Sequence, residues 1–293
     1  MQRIVPPKPP RTWHDSLRTG LAWLGIALLA AFTWRSLVAT EFNLYELHEG
    51  APRIRGILSD LAHPDLSWNA YGRDGQVKVN PQTGQAQPGT LRLLFGAMAM
   101  TLMIGFLATV LSIGFSFLLA FPASRNLTRG TPLARGDYVV ARGLLNTLRA
   151  IEPIVLGIIF IVVVGPGPFA GVLALALHSV GSLGKLFAEA IEQAEPLPVE
   201  AVRATGASNF LTVWYGILPQ VAPQMLAFSL YRWDMNTRMG IVLGIVGAGG
   251  IGFYLNQYIQ VWKYNQISTA LLIILVVVTA LDWASGYLRE KLG

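Results

Sequence analysis

Three observations on this 293-residue sequence predict an all-α integral membrane protein with six transmembrane helices. Hydrophobic residues make up 53% of the chain and charged residues only 13%, which is about half the charged share of an average soluble protein. The apolar residues gather in six mostly uncharged stretches of about spanning length. The chain has no cysteine, which excludes a disulfide scaffold and cysteine-ligated zinc or iron–sulfur sites.

The six apolar stretches divide the chain into ordered segments. They cover residues 21–39, 93–124, 144–164, 169–190, 221–246 and 267–287. The expected order is a cytoplasmic tail (1–20), a first transmembrane helix (21–39), an outer loop (40–91), a core of five transmembrane helices (92–288) and a cytoplasmic C-terminus (289–293). The basic start also fits a cleaved signal peptide, but its apolar run continues to spanning length, which favours a retained helix.

The distribution of charge predicts which side of the membrane each loop occupies. The N-terminal tail, the loop after the second stretch and the C-terminus are basic, whereas residues 40–91 are net acidic. Membrane proteins concentrate Lys and Arg on cytoplasmic loops, so both termini are expected in the cytoplasm. The net charge of +6 then needs no nucleic-acid partner.

The segment 196–219, between the fourth and fifth stretches, carries the most specific pattern in the sequence. Its small and apolar residues predict a short helix, a glycine turn and a second short helix. Glu200 lies near the start of the first helix, where the helix dipole favours an anion. Gly206 can adopt the left-handed conformation that a sharp turn needs. The simpler alternative is a plain connector between two spans.

This segment resembles the coupling loop of ABC importer permeases, and the resemblance implies the fold of a type I importer permease in the bacterial inner membrane. The family pattern is Glu-Ala-Ala, three residues, Gly, nine residues, Ile, one residue and Leu-Pro. Val202 and Gly216 depart from it, in place of an alanine and the isoleucine. In the family this loop docks into a cleft on the ATPase subunit. The residues that match at the family's spacing are Glu200, Ala201, Gly206, Leu218 and Pro219.

Residues 165–175, 203–207, 215–221 and 246–252 look like phosphonate importer permeases, a group that includes phosphite and hypophosphite systems. The resemblance implies two copies of an ABC ATPase, a second permease subunit that is an identical chain, and a periplasmic or lipid-anchored substrate-binding protein. The chain itself is expected to hold no cofactor and no metal. It has no G-x-x-x-x-G-K-[ST] motif, so the partner ATPase would use the ATP and Mg²⁺.

Other functions remain open at this point. They are an ABC permease for another small solute, a non-transporting membrane anchor, and a secondary transporter, although the internal repeat typical of secondary transporters is missing. An intramembrane enzyme would have to use Glu152 and His178, which lie on different spans. As structural alternatives, Arg149 and Glu152 are expected to form a local ion pair, and His178 to donate a packing hydrogen bond.

Charged side chains within the fifth stretch suggest a path for an anion, because such residues are costly in lipid and usually face a cavity or each other. Arg232 and Asn236 share one helical face, and Asp234 and Arg238 form an i,i+4 pair of opposite charge on another. A guanidinium suits an oxyanion. We expect Arg232 and Asn236 to line the path. Arg238 is the alternative lining residue, but the simpler expectation is that it forms an ion pair with Asp234.

A glycine cluster follows the fifth stretch and contains a formal G-x-G-x-x-G. A dinucleotide site requires this motif between a strand and a helix of a βαβ unit, and here it ends an apolar span. The cluster is instead expected to permit close helix contact or a helix break, or to form an outer gate. Its glycines are Gly247, Gly249, Gly250 and Gly252.

Overall fold

The computed structural model describes residues 13–41, 54–72, 76–128 and 132–292. One short helix, residues 54–61, carries no label. The remaining helices, in chain order, are α1 (Trp13–Ala39), α2 (Thr90–Ala120), α3 (Pro132–Ala150), α4 (Pro153–Val164), α5 (Pro168–Glu192), α6 (Pro196–Ala204), α7 (Asn209–Thr212), π1 (Val213–Ile217), α8 (Leu218–Leu243), π2 (Gly244–Ala248), α9 (Gly250–Gln260) and α10 (Tyr264–Leu292). Within the described ranges β structure is limited to three isolated bridges, so the predicted all-α class is confirmed.

The chain forms two compact units, residues 1–58 and residues 59–293. In the first unit, the apolar segment Gly20–Ala39 of α1 is long enough to cross a membrane and buries none of its residues within the protein. An apolar helix exposed all round is suited to lipid contact. The second unit contains all the helices from α2 to α10.

Among the described residues, four helices are long and apolar enough to span a membrane, namely Gly20–Ala39, Thr90–Ala120, Pro168–Glu192 and Tyr264–Lys291. Two further pairs are bent: Arg135–Ala150 with Pro153–Val164 by 88°, and Asn209–Ala248 with Gly250–Gln260 by 56°. The predicted six spans are reached only if each bent pair counts as one crossing.

The third apolar stretch, 144–164, is not the single helix that its composition suggests. It breaks after Ala150, and α4 starts at Pro153. Proline lacks the N–H that would continue the helix and forces the preceding residue out of the helical region, so Glu152 is extended at ψ 141°. The break also separates Arg149 from Glu152. The ion pair expected between them is absent from the contacts of the described residues, because Glu152 has left the helical register.

The core of the second unit is built around α5, which packs against α2 and α3. Small side chains allow this closeness, as in many membrane bundles. A Cβ on Gly181 would lie 2.7 Å from the carbonyl oxygen of Leu145, and Leu145 is itself fully buried. Ser116 on α2 donates a hydrogen bond of 3.2 Å to the carbonyl oxygen of Val180. The central helices are therefore held at fixed depth relative to one another.

A tight glycine break separates α8 from α9. Gly247, Gly249 and Gly250 have φ values of 111°, 78° and 71°, in the region that favours glycine. A Cβ on Gly252 would overlap the carbonyl oxygen of Ile241. Across the break, the N–H of Ile251 donates a 3.0 Å hydrogen bond to the hydroxyl of Thr101 on α2. The cluster thus turns the chain and packs it closely, while the outer-gate role remains a prediction.

We expect Gly252→Ala to lower the free energy of unfolding by about 1–3 kcal/mol, the usual cost of overpacking. The added methyl group would meet a backbone carbonyl, which cannot move aside as a flexible side chain can. Gly114→Ala on α2 is the matched control, because a Cβ there meets nothing within 4 Å. Thermal unfolding in detergent measures both. Equal melting temperatures for the two variants would contradict the packing role.

Residues 65–67 contact the N-terminal ends of α2 and α10 and are anchored there through Asp65. Partial burial would raise the pKa of this carboxyl, but hydrogen bonds from Thr90, Ser67 and Gln266 outweigh it and leave the pKa lowered. The hydroxyl of Thr269 on α10 also donates a 3.0 Å bond to the carbonyl oxygen of Asp65. A lowered pKa means that the ionised carboxylate stabilises the anchor at neutral pH, and that this contribution is lost as pH falls below about 4.

Candidate functional site

The segment 196–219 forms the helix, turn and second helix that its sequence predicts. Helix α6 begins with Pro196 and ends at Ala204, and Gly206 follows with φ +80°. Helix α7 then starts after Ser208, whose hydroxyl accepts a hydrogen bond from the N–H of Leu211. Pro219 lies in the first turn of α8, where its missing N–H costs nothing. The segment is therefore compact and locally capped.

None of the residues of α6 is buried. Glu200, Ala201 and Gly206 are exposed together, so their surface is free to contact another protein. Leu218 is half-buried at the base of the segment and Pro219 is exposed. The role of these five residues in coupling to an ATPase remains a prediction.

Contacts within this segment and at its two ends hold it compact, and none of them was foreseen from the sequence. The side chain of Gln220 accepts a 2.9 Å hydrogen bond from the N–H of Glu195 and donates one of 2.5 Å to the carbonyl oxygen of Gly216. A Cβ on Gly216 would lie 3.2 Å from the Cα of Val199. Glycine in place of the family's isoleucine therefore lets α6 lie close against π1.

A chain of polar side chains crosses the bundle from α8 through α5 to α2. Arg232 donates through Nε to the hydroxyl of Ser179, which donates to the amide oxygen of Asn236, each at 2.9 Å. The amide nitrogen of Asn236 donates to the hydroxyl of Thr109, also at 2.9 Å. Asn236 is only 1% exposed. Arg232 and Asn236 thus share one site, as their helical spacing predicts, and the linking Ser179 and the terminal Thr109 were missed.

Arg232 has no carboxylate within ion-pair distance in the part of the chain that the structure describes. It is half-buried, and its one side-chain hydrogen bond goes to a neutral hydroxyl. A cation in this setting keeps most of its charge unneutralised, so it can attract an anion.

Arg238 lies in a different environment, between two carboxylates. It contacts Asp234 on its own helix at 3.3 Å, and it also contacts Asp282 on α10. The predicted pair of Asp234 and Arg238 is confirmed. Asp282 was missed, because it lies 44 residues away in the sequence. With two anionic partners, Arg238 is less suited than Arg232 to bind a third anion.

Arg238→Gln is expected to lower the free energy of unfolding of the protein. It would leave the carboxylate of Asp234, 4% exposed, without its cation. Breaking a buried pair costs several kcal/mol, and the exposure of Arg238 reduces this to about 1–3 kcal/mol. The double variant Asp234→Asn/Arg238→Gln should recover most of the melting temperature. A single variant as stable as the parent would count against the ion pair.

His178 has a structural role. Its Nδ1 donates a 2.9 Å hydrogen bond to the carbonyl oxygen of Ile151, at the break between α3 and α4. This is the packing hydrogen bond expected of it. Within the described residues no cluster of three His, Asp or Glu side chains could hold a metal ion. The same contact brings His178 within electrostatic range of Glu152, although the two residues lie on different apolar stretches of the sequence.

A second cation lies in a cavity at the opposite end of the bundle from residues 196–219. This cavity, called the Arg92 cavity below, has a volume of about 510 Å³, and its lining includes Arg92, Gln85, Met100, Tyr254 and the glycines Gly249 and Gly250. Arg92 is exposed. The sequence showed Arg92 only as the end of an apolar run, so its place beside the glycine break was not foreseen.

The chain is similar to known transport proteins. Residues 137–293 match the family described as binding-protein-dependent transport system inner membrane component. A phosphite transport system permease protein of Stutzerimonas stutzeri is 47% identical over 278 residues, which cover 95% of this chain and 90% of that protein. A phosphate-import permease protein of Mycolicibacterium smegmatis is 38% identical over 199 residues, which cover 68% of this chain and 37% of that protein.

A solved structure shows the same fold. It is an inward-facing conformation of the MetNI methionine ABC transporter, with a TM-score of 0.57 and 23% identity, and it covers 70% of this chain and 96% of its own. At this identity the likeness concerns the arrangement of helices and not the solute.

Proposed function

The chain belongs to the family of binding-protein-dependent transport system inner membrane components, and from this premise we propose that it forms the pathway through which an ATP-driven importer carries phosphite or a related phosphorus oxyanion. It is a permease subunit of an ABC importer. The solute, the partner subunits and the orientation in the membrane are the proposed parts.

The observation that carries the choice of an oxyanion is the unpaired Arg232 within α8. Phosphite and phosphonates present several oxygens with delocalised negative charge, which a guanidinium can bind through more than one N–H. Among the described residues, the Arg232 side chain forms its one hydrogen bond through Nε to Ser179, so the two terminal nitrogens would be left to meet the solute. The similarity to phosphite permeases supports the same class of solute.

Asn236, which we expected to line the path, is assigned a supporting role beside Arg232. Its amide oxygen accepts from Ser179 and its nitrogen donates to Thr109, so both ends of the amide are occupied. It would hold the Ser179 hydroxyl in the orientation that receives Arg232 Nε. Arg238 would keep α8 attached to α10 through its carboxylate partners.

The solute would enter through the Arg92 cavity, which we place at the outer side of the membrane. Arg92 gives this cavity a positive charge that attracts anions from the binding protein. The glycine break between α8 and α9 forms part of its wall, so a change in the break would alter the opening. Two separated cations, Arg92 and then Arg232, would guide the solute without holding it tightly.

ATP hydrolysis would be supplied by two copies of a separate ATPase that dock on α6. The exposure of Glu200, Ala201 and Gly206 supports this assignment. With two identical permease chains, Arg232 would occur twice around the central axis. Both termini and the segment 196–219 would then face the cytoplasm, where the basic loops are favoured, and a binding protein would meet the opposite end.

The specific alternative solute is phosphate. One relative is a phosphate-import permease, and phosphate, like phosphite, is a tetrahedral oxyanion of phosphorus. It differs from phosphite by a hydroxyl in place of a P–H hydrogen. A site that hydrogen-bonds this hydroxyl would favour phosphate, whereas an apolar contact there would favour phosphite.

The test is vanadate-sensitive ATPase activity of the permease reconstituted with its ATPase and binding protein. Phosphite, hypophosphite, methylphosphonate and phosphate would each be titrated. Stimulation by phosphite or methylphosphonate at lower concentration than phosphate is the expected result. Stimulation by phosphate alone would identify phosphate as the solute. No stimulation by any of these four anions would overturn the choice of a phosphorus oxyanion.

A further inference from the structure

A cavity with a volume of about 840 Å³ lies beside the segment 196–219. One wall comes from the end of α2, with Phe117, Leu118 and Phe121. The other comes from the segment itself, with Arg203 of α6, Phe210 of α7 and Trp214 of π1. The cavity therefore lies between the end of α2 and the segment that, on the proposed function, meets the ATPase.

The lining of this cavity is aromatic and aliphatic. Leu118 and Phe210 are 68% and 72% exposed, and the rings of Phe210 and Trp214 stack with centroids 6.2 Å apart. Two polar side chains on the wall already have partners: Asn126 donates to the carbonyl oxygen of Ile191, and Thr212 donates to that of Ser208. The wall is thus an apolar surface that an extended hydrocarbon chain can fill.

Arg203 adds a positive charge at the edge of this apolar wall. It is exposed and has no ion-pair partner in the described residues, even though Glu200 lies one turn earlier on the same helix. A ligand that combines an anionic group with a hydrocarbon body would satisfy both parts of the cavity.

The depth of the cavity in the membrane fits the same ligand. Phe117 is 27 residues beyond Thr90, the first residue of α2, which places it about 40 Å along the helix at 1.5 Å per residue. The hydrocarbon layer is about 30 Å thick. If Thr90 lies near the outer surface, then Phe117 and Phe121 lie at the level of the inner headgroups, where anionic lipids give the leaflet its negative potential.

We propose that this cavity binds an anionic phospholipid of the cytoplasmic leaflet, with its phosphate against Arg203 and its acyl chains along Phe117, Leu118 and Phe121. The bound lipid would bridge α2 and the segment 196–219. Movement of α6 by the ATPase would then be transmitted to α2 through the lipid as well as through the chain. Anionic lipid is therefore expected to raise the coupled ATPase activity.

The inference is tested on the full chain assembled with its ATPase in nanodiscs of phosphatidylcholine containing phosphatidylglycerol. Lipids retained after extraction are counted by native mass spectrometry. Arg203→Gln is expected to lower phosphatidylglycerol retention about fivefold, the effect of one cation near a lipid surface. Arg135→Gln removes another exposed arginine, outside the cavity, and should leave retention unchanged.

A second variant separates lipid binding from contact with the ATPase. Leu118→Gln changes the acyl wall on α2, away from α6, and should also lower retention. Equal retention by Arg203→Gln and Arg135→Gln, or equal retention of phosphatidylcholine and phosphatidylglycerol by the parent, would overturn the proposal. Loss of ATPase assembly in Arg203→Gln with lipid retention unchanged would overturn it too and would assign the cavity to the ATPase. None of these outcomes depends on which solute is carried.

Discussion

Gly206→Val is expected to abolish most of the binding-protein-stimulated ATPase activity while the protein still folds and reaches the membrane. Gly206 has φ +80° at the turn between α6 and α7, and its surroundings are open, with nothing within 4 Å of an added Cβ. Any loss would therefore come from the backbone and not from a clash. A side chain in this region costs about 1–2 kcal/mol. Relief of this strain would rotate α6 and move Glu200 away from its docking position.

The expected size is a fall of about tenfold in stimulated activity, since 1.4 kcal/mol corresponds to a factor of ten. Gly84→Val is the matched control: the φ of Gly84 is +66°, its surroundings are equally open, and it lies outside the segment 196–219. The control should carry the same backbone strain and retain activity. If both variants lose activity equally, general strain explains the effect and the coupling role of Gly206 is wrong.

Arg232→Gln is expected to lower uptake of the phosphorus oxyanion by about tenfold to a hundredfold, with little change in melting temperature. Hydrogen bonds to charged groups contribute about 1.5–3 kcal/mol, and glutamine removes the charge while it keeps a donor for Ser179. Because Arg232 has no carboxylate partner in the described chain, its removal leaves no buried anion behind. Uptake of radiolabelled solute into proteoliposomes measures the effect.

Lys185→Gln supplies the control for Arg232→Gln. It also removes a half-buried cation from the bundle, but Lys185 pairs with Glu189 at 3.8 Å and lies on α5. Its uptake should stay near that of the parent. Uptake by Ser179→Ala should lie between that of Arg232→Gln and that of Lys185→Gln, because Arg232 keeps its charge but loses its 2.9 Å hydrogen bond. Unchanged uptake by Arg232→Gln would remove this residue from the pathway.

The bent helix pairs are the places where the structure differs from the helices that local hydropathy predicts. Hydropathy joins residues 144–164 into one stretch, yet Pro153 breaks it and the parts meet at 88°. Proline is visible in the sequence, but the angle of the break depends on what the two helices pack against. Here α3 packs against α5, and His178 of α5 bonds to Ile151 at the break. The sequence could locate the break but could not set its direction.

The coupling segment and the polar chain differ in how far they could be predicted. Residues 196–219 follow from local spacing, because prolines, a glycine turn and short helices act over a few residues. The partners of Arg232 and Asn236 do not, since Ser179 lies 53 residues from Arg232 and Thr109 lies 127 from Asn236. Helical spacing placed the two residues on one face without showing what that face meets.

By itself the sequence determined that this chain is a helical membrane protein, where its apolar helices fall and which segment has the coupling pattern. These properties depend on the transfer of short stretches into lipid and on backbone preferences, which are local. The tertiary structure alone decided that Arg238 has Asp282 as a second anionic partner, whereas Arg232 has no carboxylate partner among the described residues. It also brought the end of α2 beside α6 to form a cavity of about 840 Å³. Such contacts join residues distant in the chain, so they depend on how the helices pack and not on the order of residues within any one of them.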